Sequence, residues 1–104
     1  MDISANDLTK WAKENLGYIG IRLNRVNNIP YGKRKGTIEK GWADLQGYDS
    51  QGRYVMVEVK KIGDKLSKEQ IERFKDSWEC GCLVYICTEK ENKPVLIEWT
   101  KIKL

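Results

Sequence analysis

The sequence predicts an α/β fold: one mixed sheet flanked by helices, with elements in the order α-β-β-β-α-β-β. Three observations point there. Two short apolar, β-rich runs, residues 42–48 and 54–60, flank the turn-forming cluster Asp49-Ser50-Gln51-Gly52, the signature of an antiparallel hairpin. Two stretches, one before and one after this hairpin, repeat apolar residues at helical spacing. The second helical stretch leads into the continuous apolar run CLVYICT at residues 82–88, which reads as an interior strand joined to the hairpin by a helical crossover.

The elements follow in order. Ser4 is an N-cap with Asp7 as a first-turn acid, and Leu8, Trp11, Ala12 and Leu16 form the stripe of a helix over residues 5–16, before Gly17. Residues 18–26 alternate Ile19, Ile21 and Leu23 with Gly20, Arg22 and Asn24, a half-buried strand whose polar face carries Arg22 and Asn24. Residues 27–40, with Asn27-Asn28, Pro30, Gly32 and Gly36, lack periodicity and read as a mobile basic loop. After the hairpin, Ser67-Lys68-Glu69-Gln70 matches a capping box. The helix it starts extends to Glu79, with Ile71, Phe74 and Trp78 as its buried stripe and Gly81 as its C-terminal cap. Residues 95–99 form a last strand after a turn around Asn92 and Pro94.

Composition limits the chemistry. A chain of 104 residues forms one domain with one modest core, and 40% hydrophobic with 33% charged residues is a globular balance. No apolar run approaches the roughly 20 residues that span a bilayer. The start, Met1-Asp2-Ile3-Ser4, lacks the basic and then apolar pattern of a secretory leader, so a cytoplasmic or a processed protein is expected. The three cysteines, Cys80, Cys82 and Cys87, do not match zinc-ligand spacing and fit buried, reduced thiols in and before an apolar strand. The chain has no histidine, which removes Ser-His and Cys-His nucleophile schemes and leaves carboxylate, lysine and metal chemistry.

The hairpin concentrates that chemistry. With the turn centred near Ser50 and Gln51, opposed residue numbers sum to about 101, so Asp44 falls within about one position of Glu58. The period of two sends Val55, Val57 and Val59 to one face, and Tyr54, Met56, Glu58 and Lys60 to the other. Like charges on adjacent strands need a compensating partner, and hard carboxylate oxygens suit Mg²⁺ or Mn²⁺. Lys60 reaches the same spot and could orient an attacking water or stabilise charge on a phosphate. An exposed polar edge strand would also contain such residues; the paired Asp44 is what favours a site. The net charge of +4 is concentrated between Gly20 and Lys40, where Arg22, Arg25, Lys33, Arg34, Lys35 and Lys40 face a single acid, Glu39. Such a run is often only a solvated loop, but beside a candidate phosphodiester site it reads as a phosphate-contacting surface, with Asn24 next to it. Trp11, Trp78 and Trp99 sit on apolar faces as core residues, while Trp42 and Tyr31 are candidates for stacking on an unpaired base.

Taken together, Arg22-Leu23-Asn24, then Gly41-Trp42-Ala43-Asp44-Leu45, then Glu58-Val59-Lys60, and Leu66-Ser67-Lys68-Glu69-Gln70 resemble the PD-(D/E)xK nuclease superfamily. Within it they are similar to the VRR-NUC group, related to the archaeal-type Holliday junction resolvases. The resemblance covers nearly the whole chain and implies a restriction-endonuclease-like core, αβββαβ. It implies that Asp44, Glu58 and the backbone carbonyl of Val59 bind Mg²⁺ or Mn²⁺, that Lys60 positions or activates water, and that Gln70 acts near the site. A first-helix acid commonly completes such sites; Asp7 or Glu14 could fill that place here, and Asp7 also has the local explanation of favouring the helix dipole. Ala43 stands where the family has proline. The expected activity is metal-dependent DNA hydrolysis, selective for branched, flap or junction substrates, by a homodimer with one site for each strand. A non-catalytic nucleic-acid-binding module of the same fold is the alternative.

Overall fold

The computed structural model describes residues 3–26 and 43–99. Its elements are α1 (Ala5–Tyr18), β1 (Arg22–Arg25), β2 (Leu45–Tyr48), β3 (Tyr54–Val59), α2 (Lys68–Glu79), β4 (Leu83–Lys90) and β5 (Lys93–Glu98). They build one five-stranded sheet in sequence order, β1 to β5. All neighbouring pairs are antiparallel except β3 and β4, which run parallel because α2 carries the chain back between them. The expected mixed sheet flanked by helices is the observed one.

Helix α1 starts as its sequence directs: the Ser4 Oγ accepts the Asp7 N–H at 3.1 Å, satisfying a donor that has no partner within the helix. Leu8, Ala12 and Leu16 face inward on successive turns. The helix extends two residues beyond its expected end. The expected strand start at Tyr18 is therefore corrected to Arg22, and Tyr18 and Ile19, read as strand, are exposed. Gly20, at φ +86°, makes the reversal between them in a backbone region that glycine enters without a side-chain clash.

The β2–β3 turn is held by Asp49, whose buried carboxylate accepts the N–H groups of Gln51 at 2.9 Å and Arg53 at 2.8 Å and pairs with the Arg53 guanidinium at 2.7 Å. Gly47 on β2 is required by close approach: a Cβ there would lie 1.6 Å from the Arg22 carbonyl oxygen. Helix α2 carries the full capping box. Ser67 Oγ accepts the Gln70 N–H at 3.1 Å, and Gln70 Oε1 accepts the Ser67 N–H at 2.8 Å. Its far end closes at Gly81, φ +97°. Glu91 and Asn92, both at positive φ, form the tight β4–β5 turn.

Two cores result. Under α1, Leu8, Ala12 and Leu16 pack with Leu23, Leu45, Val55, Val57 and Cys87. Under α2, Phe74 packs with Ala43, Met56, Val84, Ile86 and Trp99, meeting the Trp99 ring edge-on at 5.8 Å. Trp11 is partly buried against the first core, and Trp99 is buried in the second. Trp78, expected in the core, is 44% exposed: in the last turn of α2 it lines a shallow groove over the start of β4 and the end of β5, leaving part of the indole in water. The thiols are free, with Cys87 buried, Cys82 intermediate and Cys80 exposed. Burial was therefore expected too broadly for the two that flank Gly81. Among the described residues no helix is long and apolar enough to cross a membrane.

Candidate active site

Side-chain alternation along β3 separates the valines from the chemistry. Val55 and Val57 point into the α1 core, while Met56 points to α2 and Glu58 follows it on that face. Leu45 faces Val57 and Gln46 faces Met56 across the ladder; continuing it one step places Asp44 opposite Glu58. The two acids that the hairpin argument brought together are direct cross-strand neighbours.

Glu58 is 3% exposed. Its Oε2 accepts the Gln70 side-chain amide at 2.8 Å, so the residue that caps α2 with its Oε1 holds the acid with its Nε2. Burial, followed by the hydrogen bond and negative charge of Asp44, pushes the Glu58 carboxyl up to about 9, with Lys60 and Gln70 pulling the other way. Asp44, half-buried, is fixed through Oδ2 by the Val59 backbone N–H at 3.1 Å. Lys60 continues β3 with its N–H on the Cys87 carbonyl at 2.9 Å, and its ammonium is near enough to Glu58 to oppose the upward shift.

This arrangement fits a divalent cation by the chemistry of its donors. Two carboxylates on facing strands offer hard oxygens, and a positive charge between them would displace the proton that Glu58 otherwise retains. Among the described residues no three His, Cys, Asp or Glu side chains gather as a metal group. Asp7 and Glu14 are both exposed on α1. Val59 meets Asp44 through its N–H; its carbonyl keeps the role implied by resemblance as an expectation.

The basic residues divide by face. Arg22 stands opposite Tyr48 and Asn24 opposite Gln46, on the Glu58 side of the sheet. Arg25 alternates to the other side, where Nη1 donates to Asn6 Oδ1 at 3.5 Å. Lys33, Arg34, Lys35 and Lys40 lie outside the described residues, as do Tyr31 and Trp42. Gln46 and Tyr48 were not singled out from the sequence, yet with Tyr54 they occupy the same sheet face as the acid pair. The alternation Tyr54, Met56, Glu58 contained that information; the pairing register was needed to add Tyr48 and Gln46.

A mixed five-stranded sheet flanked by two helices is a restriction-endonuclease-like fold. The Holliday junction resolvase Hjc of the archaeal hyperthermophile Archaeoglobus fulgidus has a similar structure, with a TM-score of 0.53 at 15% identity, covering 91% of this chain and 88% of that one. The VRR-NUC domain matches residues 31–91, and the chain belongs to that family. No curated protein sequence matches it.

Proposed function

We propose that this chain is a Mg²⁺- or Mn²⁺-dependent DNA endonuclease, a single nuclease domain spanning residues 1–104 that hydrolyses phosphodiester bonds in branched, flap or junction DNA. The observation that carries the reading is the buried Glu58 opposite Asp44, with Lys60 on the same strand. Membership of a nuclease family supports the reaction class. The fold shared with a junction-resolving enzyme supports the choice of branched DNA.

Asp44 and Glu58, with the Val59 carbonyl, would hold the metal, which when bound supplies a Lewis acid for the phosphate. The remaining work belongs to the chain. Gln70 locks the Glu58 carboxyl in one orientation, and the Val59 N–H does the same for Asp44. Lys60 orients the water and offsets negative charge growing on the phosphate, so that in-line attack leaves a 5′-phosphate and a 3′-hydroxyl. Arg22 and Asn24, with Lys33, Arg34, Lys35 and Lys40, hold the backbone by charge and hydrogen bonding rather than by reading bases. Arg25 contributes from the opposite face of the edge strand β1. A two-stranded target is cut most simply by a homodimer, one site to each strand. Free thiols fit an intracellular setting.

The test is cleavage of end-labelled four-way junction, flap, nicked and linear duplex DNA in Mg²⁺, Mn²⁺ or EDTA. Metal-dependent incision by the native chain, reduced about 10²- to 10³-fold in Lys60→Ala, is expected. DNA that is bound and never cut with either metal would replace this reading with that of a binding module. Matched RNA substrates define the sugar preference.

A further inference from the structure

Among the described residues, the α2 face of the sheet is only half covered. Beyond the acid pair it carries two further rows of side chains: Asn24, Gln46 and Met56, then Arg22, Tyr48 and Tyr54. Met56 is sealed under α2, but Tyr48 is 60% and Tyr54 40% exposed. Two exposed tyrosines facing each other across a ladder commonly stabilise a hairpin by ring contact. That is not their use here, because the aromatic ring contact among the described residues is between Phe74 and Trp99.

Their surroundings fit a different use. A groove of about 370 Å³ beside Tyr48 is lined, among the described residues, by Lys13 of α1 together with Arg22, Leu23, Asn24, Gln46 and Gly47, and none of these is a carboxylate. The Tyr54 hydroxyl donates to Gln46 Oε1, while Gln46 Nε2 donates to the Ala43 carbonyl at 3.3 Å. One tyrosine is thereby tethered to the residue preceding Asp44. Tyr48 and Tyr54 each lie four residues along their strand from the acid pair, about 13 Å. That distance spans about four stacked nucleotides, and fewer of an extended strand.

We infer that this open half-face binds a single-stranded nucleic-acid segment, with Tyr48 and Tyr54 as the surface on which unpaired bases stack and Lys13 and Arg22 as its phosphate contacts. The inference rests on the nuclease reading and narrows it: the preferred substrate has an unpaired arm next to the cut. Aromatic faces accept any base, so the site selects strand separation rather than sequence. Positive charge along the groove complements the backbone that those bases bring with them.

The experiment is fluorescence anisotropy in EDTA with a short labelled single strand and its matched duplex, using the native chain, Tyr48→Thr and Tyr48→Phe. Threonine keeps a strand-forming, β-branched side chain that cannot stack, and circular dichroism checks that the variant folds. Tyr48→Thr is expected to bind the single strand about tenfold more weakly with duplex binding unchanged, and Tyr48→Phe to bind as the native chain does. Unchanged single-strand affinity in Tyr48→Thr, or an equal loss on both probes, overturns the stacking surface. Metal-dependent cutting by the native chain is measured in parallel. Cutting without any Tyr48 effect removes the stacking surface and leaves the nuclease; a selective Tyr48 effect without cutting retains the surface and removes the nuclease.

Discussion

On the α1 side of the sheet, Leu23, Leu45, Val55 and Val57 lie beneath a helix whose inward stripe matches them, and every one is buried. On the α2 side the same strands present Asn24, Gln46, Met56 and Glu58, and among the described residues only the part nearest β4 is covered. The difference follows from connectivity. Helix α2 is the crossover between β3 and β4, so it lies over that pair and leaves β1 and β2 open. The acid pair sits along the seam: Glu58 is on the covered side, held by a residue of α2, and Asp44 is on the strand that begins the open side. One face serves stability throughout, whereas the other is divided between a small core, a charged site and a polar surface. A buried carboxylate costs less at such a seam than in the middle of either core, because solvent and ligand can reach its partner.

The covered part of the α2 face depends most on Phe74. It is fully buried and supplies most of the aromatic packing that seals α2 to the sheet. Phe74→Ala is expected to cost about 4 kcal/mol, through lost burial and the cavity left behind. Urea denaturation monitored by circular dichroism measures it. A loss below about 1 kcal/mol would mean that α2 is held by its cap and polar contacts rather than by its core.

Glu58→Gln sharpens the contrast with an opposite sign. The Glu58 carboxyl is raised from its ordinary value of 4.5 to about 9. Between those values the native chain retains a proton that the unfolded chain has released. Stability from this group is thus highest below about pH 4.5 and falls as pH rises, until the group ionises in both states above about pH 9. Glutamine is neutral at every pH, preserves an oxygen for Gln70 and can donate to Asp44. The metal-free variant is expected to be more stable than the native chain at pH 7, by on the order of 2 kcal/mol, while losing metal-dependent cutting. Thermal melts of both proteins in EDTA between pH 5 and pH 9 check this (a window set by the linkage). A native melting temperature that does not fall with pH would remove the proposed proton.

These two residues also show what was legible in the sequence. Phe74 followed from helical spacing with Ile71, and Glu58 followed from period two on a hairpin strand; both are local patterns. The acid pairing was also readable, because a short turn fixes which residues meet. Trp78 was misread since helical spacing identifies a face but not how far along the helix the sheet beneath it continues. Tyr18 and Ile19 were misread as strand since their alternation with Gly20 competed with a helix that needed two more residues to reach its cap. Tyr48 and Gln46 joined the site face only through the observed β1–β2–β3 register. Arg25 was grouped with Arg22 by charge, although three residues along a strand is an odd step and puts the two on opposite faces.

The smallest expected effect separates cap from site, because Gln70 serves both. Its Oε1 and N–H close the capping box with Ser67, and its Nε2 holds Glu58. Gln70→Ala loses all the side-chain contacts and is expected to destabilise the chain by about 1 kcal/mol while Glu58 is protonated, and by more once it ionises, because the lost amide favours the charged carboxylate. Gln70→Glu behaves differently. Glutamate closes the same box and favours the N-terminal end of the helix, but its second oxygen cannot donate once ionised and faces the Glu58 carboxyl. Its stability should match the native chain's near pH 5, where Glu58 is protonated, and fall behind as the pH rises toward the ionisation of Glu58 at about 9. Equal pH profiles for Gln70→Glu and the native chain would show that Gln70 acts on the helix alone. A steeper loss with pH in Gln70→Glu than in Gln70→Ala would show that one side chain couples the cover of the α2 face to the charge state of the site beneath it.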